Sequence, residues 1–255
     1  MNYSSRIKTY AFGLLAILTL VACESSTRSE AEEPLSSGSV GSSSSISVQS
    51  STSTLLSSSS ATIIFGTMSD GTQSYNTVVI GSQTWMAENL NTTPASGSSW
   101  CYDNLALNCA TWGRLYDWST AMNVDASYNT TLLGDSINHQ GICPTGWHMP
   151  RNSEWATLEA YAGGALTAGI KLKTTSGWDI NTGTDAYGFS ALSSGDYIAS
   201  ISGFDDFGVS AFWWSANENT PARAGYFGVS GTDGRTDSGS FGPKNNGFSV
   251  RCVQN

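Results

Sequence analysis

Four cysteines, Cys101, Cys109, Cys143 and Cys252, constrain this chain more than any other feature, because a fifth, Cys23, stands where an export signal would end. An even number of cysteines in an exported domain reads as two disulfides, and four allow three pairings. The expected arrangement is a short clip between Cys101 and Cys109 and a long closure between Cys143 and Cys252. A closed loop of about 110 residues contributes roughly 4–5 kcal/mol in the loop-entropy account. Zinc is not expected, since no CxxC pair occurs and the only two histidines, His139 and His148, are scattered. No metal and no cofactor is therefore anticipated. The hub of the expected domain is residues 143–155, where a cysteine, a Pro/Gly turn, Trp147 and a polar helix start with Trp155 facing inward follow one another.

The amino terminus sets the compartment. Arg6 and Lys8 precede an apolar run over residues 11–21. That run has the length of a signal-peptide core and is too short for a relaxed bilayer span. It ends in Leu20-Val21-Ala22-Cys23, which resembles the bacterial lipoprotein signal. The resemblance implies removal of residues 1–22, fatty acylation of Cys23 and partnership with a membrane through that anchor. Glu24, in place of the aspartate associated with inner-membrane retention, directs the expectation to the outer membrane. Residues 23–60 then carry the acylated cysteine and a linker that is nearly half serine, without apolar periodicity. Such a composition cannot bury enough apolar surface to offset ordering entropy, so a disordered tether is expected. About 37 flexible residues span roughly 30–35 Å, which would hold a domain clear of the lipid headgroups.

Residues 61–255 are enough for one domain with a full core. The chain carries 20 Asp and Glu against 11 Lys and Arg, a net charge of −9, so nucleic acid is not an expected partner. Two short strands are expected across Gly81-Ser82, and a helix over residues 112–123 with Leu115, Trp118 and Met122 on one face. A second helix is expected after residue 151, with Trp155, Leu158, Tyr161 and Ala162 inward and Gly163-Gly164 as its stop. A weaker turn continues through Leu166, Ile170 and Leu172. Residues 188–192, 211–215, 225–229 and 247–253 are short, aromatic or β-branched and bounded by turn residues, so they read as strands of an antiparallel sheet. Helices first and strands afterwards make an α+β fold.

Six blocks occur in order: TVVIGSQTWMAENLN (77–91), CATWGRLYDWSTAMN (109–123), CPTGWHMPRNSEW (143–155), GTDAYGFSAL (183–192), FWWSANE (212–218) and NGFSVRCVQN (246–255). Together they resemble the Fibrobacter succinogenes major paralogous domain of bacterial surface lipoproteins, over nearly all of residues 61–255. The resemblance implies a C-type lectin-like fold, with two helices beside a twisted antiparallel sheet and neighbouring chain ends, and it supports the same cysteine pairing. It implies no activity. Two departures stand out. Arg151 occupies the place where the family carries the serine N-cap of a capping box ending at Glu154, so the cap is expected to move to Asn152 or Ser153. Residues 196–210 lack the family's Gly-Tyr-Arg pattern.

Nine tryptophans suggest a sugar platform, because an indole face stacks on a pyranose ring. Trp85, Trp118, Trp147 and Trp155 sit on core-facing periodicities, however. Neighbours on a strand point to opposite faces, so only one of Trp213 and Trp214 can enter the same core, and the other is the best single candidate for an exposed platform. Asp205, Asp206, Asn217 and Glu218 are oxygen-bearing candidates for ligand or calcium contact, although no calcium-lectin tripeptide and no EF-hand spacing is present. Neither histidine lies in a nucleophile motif, and no GxSxG or GxxxxGK[ST] occurs. The formylglycine-generating enzymes share the fold class implied by the resemblance, but they need a reduced cysteine pair. The expectation is a non-enzymatic, lipid-anchored envelope domain that binds extracellular polysaccharide. The alternative is a structural or protein–protein interaction module of the outer envelope.

Overall fold

The computed structural model describes residues 62–134 and 139–255. The signal segment, the acylation site at Cys23 and the serine tether lie outside the described residues. The chain runs through β1 (Ile64–Ser69), β2 (Ser74–Ile80), β3 (Gln83–Met86), β4 (Ser99–Trp100), α1 (Ala106–Trp112), β5 (Leu115–Tyr116) and α2 (Trp118–Ala121). It continues through β6 (Trp147–His148), α3 (Asn152–Tyr161), α4 (Ala168–Leu172), β7 (Ser194–Ile198), β8 (Gly203–Phe207), β9 (Ser210–Thr220) and β10 (Arg223–Ser230). The short strands β11 (Thr236–Asp237), β12 (Phe241–Pro243) and β13 (Val253–Gln254) close it. This is an α+β fold.

One sheet has the order β1-β2-β3-β13-β6, so the last strand joins the sheet that the first strand begins. A second has the order β11-β10-β9-β7-β8, with β12 on β10. All pairings are antiparallel except a brief parallel contact between β7 and β9 at Gly195 and Ala211. The β2–β3 hairpin turns at Gly81 and Ser82 as expected, with Gly81 at φ +62° where a β-carbon would be strained.

Two apolar clusters pack on opposite faces of β9. One gathers Val78, Trp85, Trp155, Leu158, Phe189, Trp213 and Phe227. In it the Trp155 ring stacks on Phe227 at 4.8 Å and lies 4.5 Å from Trp85. The other gathers Met86, Leu90, Tyr116, Trp118, Met149, Trp214, Phe248 and Val250 around Cys143 and Cys252. Trp213 and Trp214 do point to opposite faces, but each face has its own core and both side chains are 0% exposed. The expected exposed platform at one of them is thus corrected. A strand covered on both faces buries successive residues instead of every second one.

Both disulfides form, Cys101–Cys109 with Cα atoms 4.8 Å apart and Cys143–Cys252 at 5.9 Å. The long one closes a separation of 109 residues inside the second cluster.

Several local expectations fail for physical reasons. No helix spans residues 112–123. Gly113, at φ +79°, ends α1, and the Asp117 carboxylate then caps the four-residue α2 by accepting from the Thr120 N–H at 2.8 Å. Leu115, Trp118 and Met122 are all buried, but from a strand, a helix and its last turn. Residues 188–192 form no strand, because the carbonyls of Phe189 and Ser190 accept from the Arg251 guanidinium rather than from a neighbouring strand. Within 247–253 only Val253 belongs to a strand. In α3 Trp155 and Leu158 are buried while Tyr161 is 51% exposed, resting near Tyr187. Leu166 and Ile170 are also exposed. The N-cap of α3 stays at Arg151, whose N–H donates to the Glu154 carboxylate at 2.9 Å.

Replacing Cys143 and Cys252 together by serine lowers the unfolding free energy by about 3–5 kcal/mol, and replacing Cys101 and Cys109 by less, since the shorter loop restricts the unfolded chain less. Urea titration of the variants is the measurement. Equal losses would show that loop closure is not what the long bond supplies.

Candidate functional site

A concavity of about 700 Å³ lies between the first hairpin, residues 87–91 and α1. The antiparallel register of β1 and β2 sets one wall. Phe65, opposite Val78, stands at the lip with its ring against Gly188, and it is 60% exposed. Asn76, near the middle of β2, donates to the Glu88 carboxylate at 2.7 Å, and the Asn76 carbonyl accepts from the Ala87 N–H at 2.8 Å. Gln73 and Asn91 complete the amide-rich lining.

Asn89 forms the floor and is fully committed. Its amide oxygen accepts from Trp213 Nε1 and Arg251 Nε, both at 2.8 Å. Its amide nitrogen donates to the Trp112 carbonyl at 2.8 Å and to Ser249 Oγ at 3.3 Å. Asn91 differs, for its amide oxygen is buried and has no partner among the described residues. Beside it, the Asn91 N–H donates to Tyr75 Oη, which donates to Asp70 at 3.1 Å. Burial works to raise the Asp70 carboxyl, but hydrogen bonds from Thr92, Gln73 and Thr72 hold it below the usual carboxylate range. The rim is thus preorganised by a tyrosine and a carboxylate that stays charged.

Among the described residues, Glu88 is the one carboxylate lining the cleft, and no histidine, lysine or arginine lines it. Neutral amides, hydroxyls, one carboxylate and one exposed ring can hydrogen-bond a polyhydroxylated ligand and pack against its apolar face.

The residues singled out from sequence fall elsewhere. Asn217 accepts the Asn152 N–H at 2.8 Å, and Glu218 accepts from the N–H groups of Leu133 and Gly134 while pairing with buried Lys244. Both are internal cross-links, which corrects their candidacy as ligand contacts. Asp205 and Asp206 instead approach Asp196. Among the described residues, no group of three or more His, Cys, Asp or Glu is placed to hold a metal ion. The cleft residues were missed because Gln73, Asn76 and Asn91 look like turn polarity in sequence; only the hairpin's register gathers them.

A family model, the Fibrobacter succinogenes major domain, matches residues 78–254. The chain belongs to this family. No curated protein and no solved structure matches it. The family match begins within β2, so Asn76 and Gln73 of the cleft precede the matched segment, while Glu88, Asn89 and Asn91 lie inside it.

In this Fibrobacter succinogenes major domain His148 is structural. Its ring bridges Asn255 at 2.6 Å and Glu154 at 2.9 Å, pinning the carboxyl terminus to the start of α3. The hydrogen bond to Glu154 raises the imidazole above its ordinary 6.5. For Glu154, burial pushes upward, but His148 and the Arg151 N–H bring the carboxyl below its ordinary 4.5. A raised histidine stabilises fully below pH 6.5 and loses its contribution as pH rises through the folded value. A lowered glutamate stabilises above pH 4.5 and loses its contribution as pH falls through its folded value. The pair therefore contributes most between about pH 4.5 and 6.5. Thermal melts of His148→Gln against the parent across pH 4–8 should differ most in that window; a pH-independent difference would remove the ion pair from the account.

Proposed function

We propose that this chain is a non-enzymatic, lipid-anchored protein of the outer membrane whose domain binds extracellular polysaccharide in the amide-lined cleft. The observation that carries the reading is the cleft's chemistry. Gln73, Asn76 and Glu88 line it with polar groups, and the exposed Phe65 ring adds an apolar surface at the lip. A neutral sugar presents the complementary hydroxyls and C–H face. We read the α+β arrangement as C-type lectin-like, with the first and last described strands in one sheet.

The non-enzymatic part rests on the same lining. Glycoside hydrolysis by the usual route needs an acid and a second carboxylate across the scissile bond. Among the described residues, Glu88 is the single carboxylate that lines the cleft. The anchoring part rests on Cys23 after its apolar run and on the tether that follows. Several acyl chains, at about 0.8 kcal/mol per buried CH₂, make attachment durable.

Purified protein should be retained on at least one of cellulose, xylan and peptidoglycan. Asn76→Ala and Phe65→Ala should each weaken retention about tenfold, near 1.4 kcal/mol. No retention of folded protein on any of the three would remove sugar binding. Separately, Cys23→Ser should move the protein from the membrane to the soluble fraction; unchanged sedimentation would remove the acyl anchor.

A further inference from the structure

On the face of β9 and β10 that carries Trp214, the strand register leaves out a side chain. Residues directly opposite each other on paired strands share a face of the sheet. Phe212 on β9, Gly228 on β10 and Asp237 on β11 therefore form one row, and Ser210 and Ser230 stand side by side in the next. Tyr226 is two residues from Gly228 along β10, on the same face. Gly228 is thus a gap in the middle of an otherwise furnished surface. Its φ is not positive, so the backbone does not call for glycine there. The gap opens a slot of about 340 Å³, within the size range of small-ligand sites.

Two sides of the slot are aromatic. The Phe212 and Tyr226 rings meet at 83° with centroids 5.7 Å apart, and each ring is half-buried. Phe248 backs both from the core, at 5.3 Å and 5.4 Å, so the rings are held in place before any ligand arrives. The other sides are polar. Asp237 Oδ1 accepts from the N–H groups of Gly239 and Ser240, both at 3.1 Å. Its Oδ2 and the Tyr226 hydroxyl make no hydrogen bond among the described residues. Arg235 borders the slot with its charge met by Asp233 at 3.2 Å.

We propose that this slot is a second saccharide-binding site, which takes one neutral sugar unit. The proposal rests on the reading of the domain as a polysaccharide binder, and the slot shares no lining residue with the amide-lined cleft. A carboxylate and a guanidinium both line the slot, so neither a cation nor an anion matches it as a whole. A sugar ring does match, because it carries apolar C–H groups for the two rings and hydroxyls for the free Asp237 oxygen and the Tyr226 hydroxyl.

Calorimetric titration of the full chain in detergent with cellotetraose, xylotetraose and the N-acetylglucosamine tetramer tests this. Gly228→Val fills the slot with a side chain that strands favour, its β-carbon 3.3 Å from Tyr226 and 3.5 Å from Phe212. Asp237→Asn removes the charge but keeps the Oδ1 acceptor of the turn, so it tests the slot even if the valine disturbs folding. At least one probe should bind the parent at two sites per chain. Gly228→Val should abolish one of them and Asp237→Asn weaken it about tenfold, while Phe65→Ala weakens only the other. Sugar binding left at the parent's affinity and site number by both folded slot variants would overturn the slot and leave the cleft standing. One site, lost in Gly228→Val and indifferent to Phe65→Ala, would support the slot and remove the cleft. No binding of any probe by the folded parent would overturn both.

Discussion

Arg251 is fully buried one residue before the cysteine that closes the domain, and much of the architecture is arranged to keep its charge there. Its guanidinium donates to Asn89 at 2.8 Å, to the Ser190 carbonyl at 2.7 Å and to the Phe189 carbonyl. It also lies 4.2 Å from the Phe189 ring centroid and 5.5 Å from that of Trp213. Among the described residues no carboxylate hydrogen-bonds it; carbonyl dipoles and ring faces stand in for one. Removing a charge from water costs several kcal/mol unless its hydrogen bonds are replaced, so these groups must be held in place together. That requirement links the 188–190 loop, the floor of the cleft and the carboxyl-terminal segment. It also explains why Asn89, though it lines a cleft, is not free to serve a ligand.

Two lysines follow the same logic. Lys244 donates to the carbonyls of Tyr128 and Thr131 at 2.9 Å, pairs with Glu218 and lies 4.3 Å from the Trp118 ring. Lys173 donates to the Asn181 carbonyl and lies 4.9 Å from the Trp178 ring. In a fold with many short strands and long connections, loop carbonyls lack ladder partners, and each needs a donor. A buried cation over an indole supplies several donors from one point. The tryptophans suggested a sugar platform; two of them instead shelter lysines.

The cleft is amide-lined and carries the Glu88 carboxylate. It is built by the first hairpin against the segment around the Cys101–Cys109 clip. A disulfide across eight residues holds that segment while leaving its exposed Leu105 and Leu107 outside both cores.

The cysteine pairing, the β2–β3 hairpin, α3 with Trp155 and Leu158 inward, and the α+β character were legible in the chain. They depend on local turn chemistry, short-range periodicity and the parity of cysteines. The apparent helix over 112–123 misled because Gly113 and Asp117 cut a helical spacing into three pieces. Trp213 and Trp214 misled because alternation tells that two residues face opposite ways, but not whether both faces are covered. The cleft was invisible for a related reason. Asn91 lies close to its neighbours only through the β1–β2–β3 register. Composition and the even number of cysteines in the domain are properties of the linear chain, so the sequence alone determined them. Which polar groups remain without partners depends on what every other segment has already satisfied, and only the tertiary structure decided that.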